Sequence, residues 1–327
     1  MGSGTWSTNV YSTAAAHRAA TGTSAFAYSD SGARTVHASL DPHGLVVRES
    51  RDSDEHPNSR AVAVIFDVTG SMGRVPRILQ TKLPGLLGLL LRRGYLTDPQ
   101  ILFGAIGDAT CDRVPLQIGQ FESDNRMDDH LGNIVLEGGG GGQMTESYEL
   151  AMYTIARHTD IDCFNKRGQK GYLFLMGDEL AYSHAKKREI SKLLGEQVDE
   201  DIPIEQLVAE LRRKWEVYFI IPDGGFHSAD PRLHEYWTTL LGQNVIRLDD
   251  LEAVCETIAL TIGLAEDAID LDEGLADLDE LGSTAGASVS KALAHVGPRS
   301  VTQATPGGAV ATLRTDTYDG DDDVTRL

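Results

Sequence analysis

The stretch AVAVIFDVTGSMG, residues 61–73, decides the fold. Six consecutive apolar residues, 61–66, run straight into Asp67-Val68-Thr69-Gly70-Ser71-Met72. A short run rich in Val and Ile, ended by polar residues and Gly, reads as a strand buried on both faces of a parallel sheet. Ligands of open α/β sheets bind outside the carboxyl ends of the strands. Asp67, Thr69 and Ser71 therefore stand in that crevice, on a loop that Gly70 lets bend tightly. Three hard oxygen groups converging on one point suit a hard divalent cation such as Mg²⁺.

Outward from this stretch, apolar runs alternate with helical patterns. A helix is expected over 75–93, with Pro76 near its start where Pro is tolerated. A second strand at 101–106 ends in Gly107-Asp108, and a third at 115–121 belongs at the sheet edge. Five glycines at 138–142 precede Gln143-Met144-Thr145 and a helix over 146–158. A buried strand at 171–176 ends in Gly177-Asp178-Glu179. Helices over 184–194 and 203–215, a strand at 216–221, a helix at 231–241, a strand at 245–248 and a helix at 251–263 complete the pattern. Such alternation signals an α/β, doubly wound, mostly parallel central sheet flanked by helices.

Three segments follow: an N-terminal extension (1–58), the α/β domain (59–265) and a tail (266–327). The extension is polar, with a short helix expected at 11–20 and a strand at 44–47. Its acidic turn RDSDEHP, 51–57, enters at the amino end of the central strand, roughly 20 Å from the far end at about 3.3 Å per residue. A structural or solvated role suits it better than a metal site. The tail holds 13 acidic and 4 basic residues, a net −9. Acidic, rich in Gly, Ala, Ser and Thr, and poor in aromatics, it is expected to be disordered.

The 327 residues carry 29 Lys plus Arg against 49 Asp plus Glu, a formal charge of −20. Such a surface disfavours nucleic acid and anionic membranes as partners. Cys111, Cys163 and Cys255 share no metal or redox spacing and read as reduced, buried thiols. The first ten residues, MGSGTWSTNV, lack the basic and apolar regions of a signal peptide. The apolar run 83–91 is far short of the roughly 20 residues of a spanning helix. A cytoplasmic protein is expected.

Asp67-Val68-Thr69-Gly70-Ser71 after an apolar strand resembles the D-x-[ST]-x-S motif of von Willebrand factor type A domains. The resemblance covers residues 59–265 and implies a central, mostly parallel sheet with a metal-ion-dependent adhesion site at its top. The family takes a Thr from a second loop, matched by Thr145, and an Asp from a third, matched by Asp178. The implied ligand set is thus Asp67, Thr69, Ser71, Thr145 and Asp178, holding Mg²⁺ or alternatively Mn²⁺ or Ca²⁺. The implied function is docking of an acidic side chain of a partner protein, an AAA+ ATPase among the partners of intracellular relatives. It implies no enzymatic activity.

Duller roles exist for each residue. Thr69, Ser71, Thr145 and Asp178 are all types that cap helices. Asp108 and Asp223 also end strands and read as solvated loop acids before they read as an outer acidic rim. The glycine run lacks the Gly-Lys-Ser/Thr of a P-loop. A second function remains open, a Mg²⁺-dependent phosphotransferase of haloacid dehalogenase type with Asp67 as nucleophile. Against it, Thr69 replaces the acid common two residues after that nucleophile, and Gly177-Asp178-Glu179 lacks the second Asp of a G-D-x-x-[ND] pattern, Ala181 and Tyr182 following instead. Between the two acids no lysine follows a strand end, Lys166 and Lys170 being the candidates left for phosphate. A third is a structural role in a larger particle.

Overall fold

In a computed structural model describing residues 4–138 and 144–296, six strands form one sheet. They are β1 (Ser59–Asp67), β2 (Asp98–Ile106), β3 (Leu116–Ile118), β4 (Gly171–Met176), β5 (Trp215–Pro222) and β6 (Val245–Leu248). Their spatial order is β6-β5-β4-β1-β2-β3, with only β3 antiparallel. The chain builds outward from β1 through β2 to β3, then crosses back to β4 and builds the other way. The topological switch point, where doubly wound sheets open their ligand crevice, lies between β1 and β4. All nine residues of β1 are buried. Its register sets Asp67 opposite Ile106 on one side and Phe66 opposite Met176 on the other.

Alternate residues of these strands feed two cores. Val62, Val64, Phe66, Phe174 and Ile220 face α1 (Val75–Leu87) and, from later in the chain, α5 (Val254–Ala265). Ala63, Ile65, Leu173, Leu175 and Phe219 face α2 (Tyr148–Arg157), α3 (Ile204–Lys214) and α4 (Pro231–Leu241). Both faces being covered explains why the strands read as continuous apolar runs.

The expected helix over 75–93 divides: α1 ends at Leu87, and Gly88–Arg92 is a π-helical turn. Pro84 inside α1 brings no N–H to the carbonyl of Gln80. The Tyr11 hydroxyl donates to that carbonyl instead, at 2.9 Å. Tyr11 sits on a helix spanning Thr8–Thr21, so the N-terminal segment belongs to the fold. Leu40 and Phe26 are buried, and the expected strand at 44–47 lies instead at Arg48–Ser50, paired with Thr159–Ile161. Within the turn at 51–57, Asp52 accepts from Arg167 and Ser59, the structural role expected of it.

The segment expected to be disordered starts differently. Residues 271–280 form α6 (Leu271–Glu280), opened by a capping box between Asp270 and Glu273, and 286–293 form α7 (Gly286–Leu293). Leu278, Val289 and Leu293 bury against the same core as α5. Those apolar anchors suffice to fold an acidic segment whose charges face water. Residues 297–327 lie outside the described residues. Cys163 and Cys255 are buried free thiols as expected, whereas Cys111 is exposed. No helix among the described residues is long and apolar enough to cross a membrane.

Candidate cation site at the sheet switch point

Asp67 ends β1 with its side chain fully buried. Both the backbone N–H and the hydroxyl of Thr69 donate to its Oδ1 at 2.7 Å. The Thr69 side chain thus serves Asp67 and makes no capping bond to the turn Gly70–Met72. The other oxygen, Asp67 Oδ2, is buried without a hydrogen-bond partner among the described residues. A carboxylate oxygen left bare in the interior costs free energy.

Thr145 does not open the following helix. Residues Thr145–Glu146 pair in parallel with Leu180–Ala181, setting Thr145 opposite Leu180 and Glu146 opposite Ala181. Ser147 occupies the N-cap position of α2, and its hydroxyl accepts from the N–H of Ala109 at 2.9 Å. This ladder carries Glu146 to the end of β1, where Glu179 arrives from the loop after β4. One oxygen each from Asp67, Glu146 and Glu179 lie within 4.8 Å of one another. Asp178, also fully buried, stands beside the trio, but its Oδ2 accepts the His227 backbone N–H at 3.2 Å. The Ser71 side chain and residues 139–143, among them four of the five glycines, lie outside the described residues. Of the five motif residues, the structure therefore joins Asp67 and Thr69 directly and brings Asp178 alongside.

The electrostatics follow from crowding acids in a dry place. Burial, then the nearby Glu179 and Asp178 charges, push Asp67 up to about 8 against the pull of the two Thr69 hydrogen bonds. Burial and the facing Asp67 and Glu179 push Glu146 up to about 11, and burial raises Glu179 as well. The His227 imidazole Nε2 lies 3.9 Å from Glu179 Oε1. Tyr148, also fully buried, carries a hydroxyl with no partner, and the same acids along with its burial raise its pKa. Glu146 and Glu179 also hydrogen-bond to each other, one carboxyl keeping its proton; a hard cation would fit the same three carboxylates in place of that proton.

Asp108 is not the solvated loop acid expected. It is buried, accepts from the Thr110 N–H at 2.8 Å, and receives the Tyr182 hydroxyl on both oxygens at 3.1–3.2 Å. Asp223 is solvated, 3.7 Å from Arg247. Lys166 pairs with Asp162 and Asp52, and Lys170 with Glu216, at the amino-terminal end of the sheet. Neither can reach Asp67. Glu146 and Glu179 were overlooked in the sequence; the signal was their place, each immediately following a motif residue.

No family model matches the sequence, and none of the curated proteins does. Among solved structures, the chain is similar to proximal thread matrix protein 1 from the mussel byssus, at 11% identity and a TM-score of 0.40 over 69% of this chain. It is also similar to the pilus adhesin SpaC of Lactobacillus rhamnosus GG in an open conformation, at 10% identity and a TM-score of 0.41 over 66%. It spans 47% and 31% of those two chains. Likeness at that level carries no functional argument.

Proposed function

We propose that the chain is a divalent-cation-dependent protein-binding module of von Willebrand factor type A kind. Its cation sits where β1 and β4 part, and an acidic side chain of a partner protein completes the shell. The observation that carries this reading is Asp67 Oδ2, fully buried at the strand end near Asp178, on the side of the carboxyl that Thr69 does not hold, and unpartnered among the described residues. Thr69 locking Oδ1 holds the carboxyl in that orientation. Mg²⁺ is the reference ion, with Mn²⁺ and Ca²⁺ as alternatives of the same hard character. An AAA+ ATPase as partner rests on the resemblance alone. The charge of −20 favours a protein partner over nucleic acid or membrane. Three free cysteines accord with a reducing compartment, the cytoplasm.

The carboxylate trio also favours a second reading, phosphoryl transfer through Asp67 with Mg²⁺. Against it stand Lys166 and Lys170, both spent in ion pairs at the other end of the sheet. One calorimetric series separates the two. The adhesion-type reading expects Mg²⁺ binding in the wild type, its loss in Asp67→Ala, and no response to beryllium fluoride. A beryllium-fluoride adduct dependent on Asp67 would replace it with the phosphotransferase. Partner capture that persists unchanged in EDTA and in Asp67→Ala would sink it outright.

A further inference from the structure

We infer that Glu146 and Glu179 join Asp67 as direct ligands of the cation, and that the resulting shell prefers a Ca²⁺-sized ion to Mg²⁺. This rests on the reading above that the site holds a divalent cation, and it names the ion and two ligands that the D-x-T-x-S motif does not contain.

Three observations carry it. The oxygens of Asp67, Glu146 and Glu179 lie within 4.8 Å of one another. Asp67 Oδ2, Glu146 Oε2 and Glu179 Oε2 are each buried without a hydrogen-bond partner among the described residues. The two glutamates are also fixed to each other, because Glu146 and Ala181 are register partners in one short ladder and Glu179 lies two residues before Ala181. Acids pressed together by backbone pairing, with no Lys or Arg bridging them among the described residues, gain most from a cation at their centre.

The choice of ion follows from its hydration. Mg²⁺ dehydrates reluctantly and keeps several waters, taking one or two carboxylates. Ca²⁺ accepts six to eight oxygens at about 2.3–2.6 Å, and takes carboxylates one- or two-handed. Asp67 is 0% and Glu146 2% exposed, with Glu179 half-buried at the edge, so two of the three carboxylates leave little room for a water shell.

The test uses the full chain stripped of cations, with Glu146→Gln, Glu179→Gln and Asp67→Asn beside the wild type. Ca²⁺ and Mg²⁺ are titrated by calorimetry. Tb³⁺ serves as a luminescent stand-in for Ca²⁺, excited through Tyr148 and through Trp237, whose ring centroid is 5.3 Å from that of Tyr148. Wild type is expected to bind Ca²⁺ at least about tenfold tighter than Mg²⁺, and each Glu→Gln change to weaken Ca²⁺ and Tb³⁺ by about tenfold or more. Thermal melting without cation controls for folding: the Glu→Gln variants should melt at or above the wild type and lose the rise that Ca²⁺ gives it. Glutamine variants that bind both ions like the wild type, while Asp67→Asn binds neither, would overturn the inference and leave the cation site standing. Preference for Mg²⁺ in the wild type would overturn the choice of ion. A wild type that binds no cation would remove both.

Discussion

Asp67 is hydrogen-bonded as an anion and buried as a neutral group. Two donors from Thr69 hold Oδ1, yet burial and neighbouring acids lift its pKa from 3.8 to about 8. Between those values the folded, cation-free protein keeps a proton that the unfolded chain releases. The stability of the stripped protein therefore falls as pH rises through that window. A cation bound at Asp67 would displace that proton, so its affinity would rise over the same range. Urea unfolding of stripped protein is expected to give lower stability at pH 8 than at pH 5.5, with saturating Ca²⁺ reversing the trend. Asp67→Asn should flatten the pH dependence by the aspartate's share, on the order of 1–3 kcal/mol. Equal stability at both pH values would contradict this account. At this scale the sequence was partly legible. Asp67 and Thr69 were readable because their contact is local, two residues apart. Glu146 and Glu179 were not, since a short ladder between distant loops brings them in, and two residues carry no periodic pattern.

Among the elements, the loops after β4 and β5 work as fitted parts. Gly177 N donates to Ile220 O at 3.1 Å, and a Cβ on Gly177 would stand 1.7 Å from the Tyr148 hydroxyl. A Cβ on Gly225 would stand 2.2 Å from Asp178 Oδ2, so the β5 loop can lie against that acid only as glycine. Gly225→Ala is expected to cost about 1–3 kcal/mol by overpacking. It should also weaken cation binding although no carboxylate is changed, read by denaturant titration and calorimetry on one preparation. An unaltered cation affinity would show that the loop does not position Asp178. Strands at 171–176 and 245–248 and the helix at 231–241 matched their sequence bounds. Each is an apolar or amphipathic run between strong breakers. The π-turn after α1 was not legible, because Pro84 is answered by Tyr11, some seventy residues earlier in the chain.

For the whole molecule, β-α alternation gave the doubly wound class, and the strand order then fixed where the acids could meet. The C-terminal helices escaped notice because composition hides periodicity. Leu271, Leu275 and Leu278 are spaced for one helix face, while Asp272, Glu273, Asp277, Asp279 and Glu280 dominate the count. Leu278, Val289 and Leu293 are at most 1% exposed, and burying each such side chain is worth about 1.5–3 kcal/mol. Truncation after residue 265 is therefore expected to lower the melting temperature by more than 10 °C or to leave the chain without a cooperative transition. Retention of the full-length melting temperature would mean that α6 and α7 only rest on the core. At the opposite end of the sheet, Asp52 is half-buried in a network with Arg167 and Ser59, and only its Lys166 partner is exposed.

The N-terminal segment has one more effect through β3, the last strand on its side. Ile118 donates its N–H to Leu40 O at 2.8 Å and accepts from Arg48 Nη2 at 2.8 Å. At the far side, His295 Nε2 lies 2.8 Å from Val245 O on β6. Open strand borders are templates on which a second chain can add and polymerise. Here the protein's own outlying segments occupy backbone groups on both borders, at Ile118 and at Val245, which leaves a nearly all-parallel sheet fewer free groups on which a second chain could template.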